Sequence, residues 1–357
     1  MLTRRKLGAS LAAVGLLATP LTARADNTKP AKIRIGVAMA GLGGRPYSLG
    51  SALSVVHAQG LLEKEFAADG TAIEWNFYAG QGPAVNEALA NGALDFAWQG
   101  DLPEVVARSR GLQTTQLIVA GNRSPVYVVV AHDSKISSLA DLKGKTVANF
   151  QGTNLELSVN RILASAGLGE HDLQIVNLDQ NTAGQAVAEH QIDAAFVQLG
   201  IPARAQKYLK VIYHSDTAHP ELTPQASFIV TNTFASAAPG VVDRVVRVAV
   251  GAAHWSSLPE NQDALYGIYA KTGYPLPFIK QVFKPIDPLV ATSPLWDAFQ
   301  RAQLARSAAD ADAYGLVRTP VKVDGWINAG PLNRALAVLE LENHWPQFAA
   351  DGLTKAG

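Results

Sequence analysis

Ala88-Leu89-Ala90-Asn91-Gly92-Ala93-Leu94-Asp95-Phe96-Ala97-Trp98 has a counterpart in Ala186-Val187-Ala188-Glu189-His190-Gln191-Ile192-Asp193-Ala194-Ala195-Phe196. In each, a helix end runs into a turn, an apolar residue, an aspartate and a short apolar strand. Each is followed by a glutamine, Gln99 or Gln198, and soon by a proline at a helix start, Pro103 or Pro202. One helix–strand–helix unit is therefore used twice, about 98 residues apart. Such a repetition predicts two similar α/β lobes facing each other across a cleft.

The sequence around these copies alternates in the same way. Strands are expected at 32–38, 73–78, 94–98, 126–131, 146–150, 173–178, 194–197 and 227–231, from short β-branched or alternating runs. Helices are expected at 48–58, 83–90, 102–110, 154–166, 183–190 and 201–209, several closed by Gly60, Gly92, Gly111 or Gly167. Beyond Pro239 the pattern is mostly helical. Strands alternating with helices predict parallel, doubly wound sheets, with loops and ligands at the strands' carboxyl ends.

The 357 residues carry 30 Lys+Arg, 30 Asp+Glu and no Cys. A chain this long can bury a large core. A net charge of zero argues against a nucleic-acid binder. The absence of Cys excludes disulfide scaffolds, thiolate metal sites and thiol nucleophiles. The charge is unevenly spread. Arg4-Arg5-Lys6 precedes an uncharged run, 7–21, and Ala23-Arg24-Ala25 makes a small-x-small cleavage pattern before Asp26. This is the layout of a twin-arginine export signal, 1–25, and the run is too short to span a bilayer. Cleavage there leaves 26 basic against 30 acidic residues, an exported protein with a net charge of −4.

Several local stretches resemble one family: Gly60-Leu61-Leu62-Glu63-Lys64, Gln81-Gly82-Pro83, Leu94-Asp95, Gly100-Asp101-Leu102-Pro103, Ser137-Ser138-Leu139-Ala140-Asp141-Leu142-Lys143-Gly144-Lys145 and Phe150-Gln151-Gly152-Thr153. Together, over about 31–260, they resemble the periplasmic substrate-binding proteins of ABC importers, of the aliphatic-sulfonate, taurine and nitrate type. The resemblance implies an α/β, two-lobe periplasmic-binding-protein fold (type II), each lobe a doubly wound sheet, with a helical C-terminal extension. Lobe one would span 26–125 and return with the C-terminal helices over 226–357; lobe two would span 126–225. Strands 126–131 and 227–231 would form the hinge, and the lobes would close on ligand. The implied partners are a small-molecule anion and an ABC permease with its ATPase, for a monomer that needs no cofactor and catalyses nothing. A sensor input domain and an exported enzyme are the competing readings. Nitrate, an aromatic sulfonate or carboxylate, and a pyrimidine are the competing ligands.

Helix N-termini near Ser48, Pro83, Leu102, Asn154 and Ile201 offer an anion partial positive charge without cationic side chains. The loop Gly41-Leu42-Gly43-Gly44-Arg45-Pro46 has Pro where a dinucleotide fingerprint needs a small residue, so it reads as a turn. Its Arg45 and Tyr47 are candidates to reach the cleft, Arg45 by a bidentate contact with an oxyanion. Gln81, Gln99 and Gly100 sit at strand ends before helices. Asp101 reads first as an N-cap, and second as a ligand contact for a solute with a donor group. By resemblance, Gly152, Thr153 and Asn154 form the sulfonate-facing turn, Thr153 doubling as an N-cap. Gln198 ends the last lobe-two strand. The family's aromatic-acidic-Pro run is replaced by Leu199-Gly200-Ile201-Pro202, which makes the pocket less polar. Trp98 reads as core. His214, Asp216 and His219 match no metal spacing and read as a solvated loop. No nucleophile-elbow, zincin or P-loop motif is present.

Overall fold

A computed structural model describes residues 29–201, 205–215 and 218–356. The export-signal reading of 1–25 falls outside them. Among the described residues, ten strands form two sheets. They are β1 (Lys32–Val37), β2 (Ala72–Phe77), β3 (Phe96–Gly100), β4 (Thr114–Gly121), β5 (Tyr127–Ala131), β6 (Thr146–Asn149), β7 (Gln174–Asn177), β8 (Ala194–Val197), β9 (Leu209–His214) and β10 (Ala226–Thr231). The helices are α1 (Ala52–Ala58), α2 (Leu61–Phe66), α3 (Gln81–Ala90), α4 (Asp101–Ser109), α5 (Asn154–Ser165), α6 (Gln180–Ala188), α7 (Asn232–Ala237), α8 (Pro239–Ser257), α9 (Gln262–Ala270), α10 (Leu276–Phe283), α11 (Pro288–Ala291), α12 (Ala298–Ala313) and α13 (Gly330–Leu339). None of them is long and apolar enough to cross a membrane.

The first sheet runs β2-β1-β3-β10-β4, the second β7-β6-β8-β5-β9. The sheets are mixed, which corrects the expectation of wholly parallel ones. β1, β2 and β3 pair in parallel, as do β6, β7 and β8. β10 lies antiparallel between β3 and β4, and β5 antiparallel between β8 and β9. The reason is topological: β5 and β10 enter their sheets from the opposite lobe, not through a βαβ crossover, so nothing constrains them to run parallel. Of the expected helix over 201–209, residues 202–204 lie outside the described residues, while 206–208 form a turn, which corrects its second half. Leu209 begins β9, whose alternating Leu209, Val211 and Tyr213 lie on an edge strand.

The repeated aspartates do the same work in both sheets. Asp95 accepts the backbone N–H of Arg34 (2.8 Å) and returns its own N–H to the Arg34 carbonyl (2.9 Å). Asp193 does this with Thr146, at 2.9 Å in each direction. Each aspartate thus locks the start of the neighbouring strand, β1 or β6. The Arg34 guanidinium adds a fork onto Asp95, at 2.6 and 3.0 Å.

The sheet cores are apolar, with Ile33, Ile35, Phe96 and Phe228 in the first and Val128, Val147, Ile162 and Phe196 in the second. Two polar clusters interrupt them. Glu104 on α4, Gln116 on β4 and Ser227 on β10 form a buried triad. Gln116 Nε2 donates to Glu104 Oε2 at 2.6 Å, and Ser227 Oγ lies between Glu104 Oε1 (2.5 Å) and Gln116 Oε1. A serine hydroxyl has one proton, so both contacts are satisfied when protonated Glu104 donates to Ser227 and Ser227 donates to Gln116. Burial accordingly pushes the Glu104 carboxyl up to about 8. The second cluster joins three parts of the chain. Ser307 Oγ on α12 donates to Asp101 Oδ2 of α4 at 2.6 Å, while Arg161 of α5 donates to Ser307 (3.1 Å) and to Asp310 of α12 (2.7 Å).

Candidate functional site

A cavity of about 370 Å³ opens between the sheets, at the carboxyl ends of their parallel strands. The first lobe contributes Met39, Gln81 and Trp98, the second Phe150, Asn154 and Gln198. A third wall comes from the helices after residue 262: Tyr274, Val282, Phe283 and Ile286. Tyr274 Oη reaches across to Asn181 Oδ1 at 2.9 Å. Neither Arg, Lys nor His is among the described residues that line it, and its one carboxylate is Asp179. That carboxylate is spent on capping α6, accepting from the N–H groups of Asn181 (3.0 Å) and Thr182 (3.2 Å).

The helix N-termini around the cavity are not equivalent. α1 is capped by Ser51, α5 by Thr153 and α6 by Asp179. Glu156 additionally takes the N–H of Gly152 at 2.6 Å. α4 carries Asp101 and Glu104 in its first turn, and the N–H of Leu102 goes to Asp101 Oδ1 at 2.9 Å. At these ends internal carboxylates or hydroxyls accept from first-turn N–H groups. α3 is different. Its cap is Gly80, it has no side-chain cap, and no acid lies in its first turn. Its first residue, Gln81, lines the cavity with a φ of 52°.

The donors at this end are neutral. Trp98 is 8% exposed, and its indole Nε1–H has no hydrogen-bond partner among the described residues. A buried unpaired donor costs about 1–3 kcal/mol, so it presents a strong preference for an acceptor. Gln198 is held by Gln180, which accepts from its backbone N–H (2.6 Å) and donates to its Oε1 (3.0 Å). Asn154 Nδ2 donates to the Gln225 carbonyl at 3.1 Å, and the Asp101 N–H reaches the same carbonyl at 3.1 Å. One carbonyl between the lobes is thus clasped from both sides.

The residues singled out in the sequence divide by place. Gln81, Asn154 and Gln198 line the cavity; Gln99, Gly100 and Thr153 line a smaller recess that adjoins it. Thr153 accepts the N–H of Leu155 as the α5 cap. Arg45 does not line either space. It is exposed, with its guanidinium against the backbone of Gly273. Tyr47 packs on His57, ring centres 5.5 Å apart, and Ser48 is buried on Ser54 at 2.9 Å. Gly152 adopts a φ of 75° with its amide spent on Glu156. Asp101 is neither the α4 cap nor a cavity residue. Gly100 is the cap, and Asp101 turns inward to Ser307, where burial raises its carboxyl against the pull of Arg161. Trp98, read as core, stands on the cavity wall. Gln225 and Tyr274 were missed. Their strand-end or aromatic character gave no local sign, because only tertiary packing brings residues beyond 224 to the cleft.

A family model described as NMT1/THI5 like matches residues 65–260. A protein of Escherichia coli (strain K12), named for the binding of aliphatic sulfonates, is 32% identical over 188 residues, 52% of this chain and 54% of that one. The chain thus spans little more than half the length of that curated relative. Among solved structures, one named a periplasmic sulfonate-binding protein from Methylobacillus flagellatus KT superposes with a TM-score of 0.77 at 27% identity, over 89% of this chain and 97% of that one. The alkanesulfonate-binding protein of Xanthomonas axonopodis pv. citri, bound to MOPS, gives 0.67 at 22% identity, over 85% and 100%, and shares the fold.

Proposed function

The chain belongs to the NMT1/THI5-like family, and from that premise we propose that it is the periplasmic solute-binding component of an ABC importer, taking a small organic sulfonate between its lobes. The observation that carries the reading is the pairing of an α3 N-terminus that has no side-chain cap with the Trp98 N–H, unpartnered among the described residues, on a cavity whose described lining holds no cation. The sulfonate sits over the first turn of α3, where the peptide dipoles place partial positive charge. Trp98 Nε1–H donates to one of its oxygens, and the Gln81 amide lies beside it. Neutral donors suit a receptor that must release its cargo, since no buried ion pair has to be broken. The organic tail lies against Leu199, Val282, Phe283 and Ile286. That apolar wall favours an organic anion over nitrate, which would leave it wet. Relatives named as binding proteins support a role in capture without chemistry. The charged N-terminal segment supports export, and a permease with its ATPase then receives the solute.

A thermal-shift and calorimetric panel of ethanesulfonate, benzenesulfonate, acetate, nitrate and uracil tests this. A sulfonate at 100 times its Kd adds about 2.7 kcal/mol to stability. A shift with nitrate or uracil and none with either sulfonate overturns the assignment.

A further inference from the structure

Behind the main cavity lies a recess of about 60 Å³, which shares Met39, Gln81, Trp98 and Asn154 with it. Its described lining holds no charged residue. Gln99 closes one side. It is 1% exposed, and its Oε1 has no hydrogen-bond partner. The orientation of that amide is set by a two-step relay. Asn86 Nδ2 donates to the backbone carbonyl of Pro103 at 2.7 Å, and a carbonyl can only accept. Asn86 must therefore turn Oδ1 toward Gln99, whose Nε2 donates to it at 3.1 Å. The carbonyl of Gln99 is what remains for the recess. On the main cavity Gln225 repeats the pattern: it is 6% exposed and its Oε1 also has no partner.

Two buried acceptors, Gln99 Oε1 and Gln225 Oε1, thus lack a partner among the described residues, as does the Trp98 donor. A sulfonate group offers only acceptors. A plain alkanesulfonate would leave Gln99 Oε1 without a partner on the solute, or set an anionic oxygen against it. We propose that the solute carries a neutral hydrogen-bond donor, a hydroxyl or an amide N–H, close to its anionic group, and that Gln99 Oε1 accepts from it. Gln99 is then the residue that selects a hydroxyl- or amide-bearing sulfonate over its alkyl counterpart. Neutrality follows from the recess, whose described lining has no carboxylate to balance an ammonium. The inference rests on the sulfonate-receptor reading.

Calorimetry on the purified protein with ethanesulfonate, propane-1-sulfonate and 2-hydroxyethanesulfonate tests it. The hydroxylated solute is expected to bind roughly tenfold tighter than propane-1-sulfonate, which matches it in size. Gln99→Met should bring its affinity down to the alkyl value and leave the alkylsulfonates within about twofold. Asn86→Leu, which frees the Gln99 amide to turn, should shrink the preference while Gln99 itself is kept. Equal binding of the propyl and hydroxyethyl solutes by the unaltered protein overturns the inference alone, and means that water meets Gln99. A preference that survives Gln99→Met overturns the assignment to Gln99. No binding of any of the three overturns the sulfonate reading, and the inference with it.

Discussion

Gly100 ends β3 at the interface between the lobes, and a single methyl there tests whether closure is what binds solute. Its φ is −81° and its ψ 164°, values that alanine adopts freely, so Gly100→Ala strains no backbone. The obstacle is across the cleft. A Cβ at 100 would stand 2.4 Å from Asn154 Cβ and 2.7 Å from Asn154 Cγ. Carbon atoms pack at about 3.5–4.0 Å, so one lobe must withdraw by roughly 1.1–1.6 Å. Asn154 cannot swing aside, because its Cβ is fixed to the first turn of α5. Overpacking of this size costs about 1–3 kcal/mol. Lobes that part relieve the clash, so the cost falls on the closed, solute-bound state and not on folding. The affinity should fall by roughly 5- to 150-fold. The melting temperature without solute should stay within about 1 °C, since even about 1 kcal/mol shifts a chain of this size by only about 1.5 °C. Calorimetric titration beside a melting curve reads both. Undiminished affinity refutes closure at this contact, and a collapse in melting temperature with equal loss at all solute concentrations refutes the placement of the cost.

Trp98→Phe should weaken sulfonate binding about 5- to 10-fold by removing one donor. It should not lower the melting temperature, since the indole N–H it deletes is already unpaired in the fold; an intact affinity would remove Trp98 from the site. Arg45→Ala should leave affinity within about twofold, because the guanidinium lies against Gly273 outside the cavity; a tenfold loss in titration would return it to the site. Glu104 gives a pH signature. Its carboxyl is raised from 4.5 to about 8, so the folded chain keeps a proton that the unfolded chain releases. The stabilisation is full below about pH 4.5 and is lost as pH rises to about 8, at up to ~1.4 kcal/mol per unit. Urea denaturation of the parent and Glu104→Gln proteins from pH 5 to 8 isolates this slope, and parallel profiles for the two would contradict it.

What the sequence disclosed was local. The Leu94-Asp95 and Ile192-Asp193 copies are legible because each aspartate serves a turn and an adjacent strand start within its own lobe. Gln81, Asn154 and Gln198 are legible from one rule, that α/β clefts form at strand ends. The antiparallel setting of β5 and β10 is not, because a strand's pattern records its burial and not its direction. Thr114–Gly121 drew no strand reading at all, although β4 holds the far edge of the first sheet. Arg45 was singled out for its charge, and the structure places it outside the cavity, against Gly273. Trp98 is core, as its strand setting predicted, and also lines the cavity. Strand alternation buries its ring, and its position near the end of β3 sets the residue on the cavity wall.

β10 has a consequence for how the protein is made. It sits between β3 and β4, yet it is synthesised after the whole of the second sheet. As the chain leaves the ribosome, β3 and β4 emerge without the strand that joins them. Their hydrogen-bonding edges stay exposed until residue 231 has appeared. The second sheet is contiguous from Tyr127 to His214 and can assemble first. The first sheet waits, and the Arg161 cluster waits longer, until α12 delivers Ser307 and Asp310. The chain therefore matures from its middle outward, and a nascent chain arrested near residue 225 is the species most exposed to aggregation and most open to a chaperone.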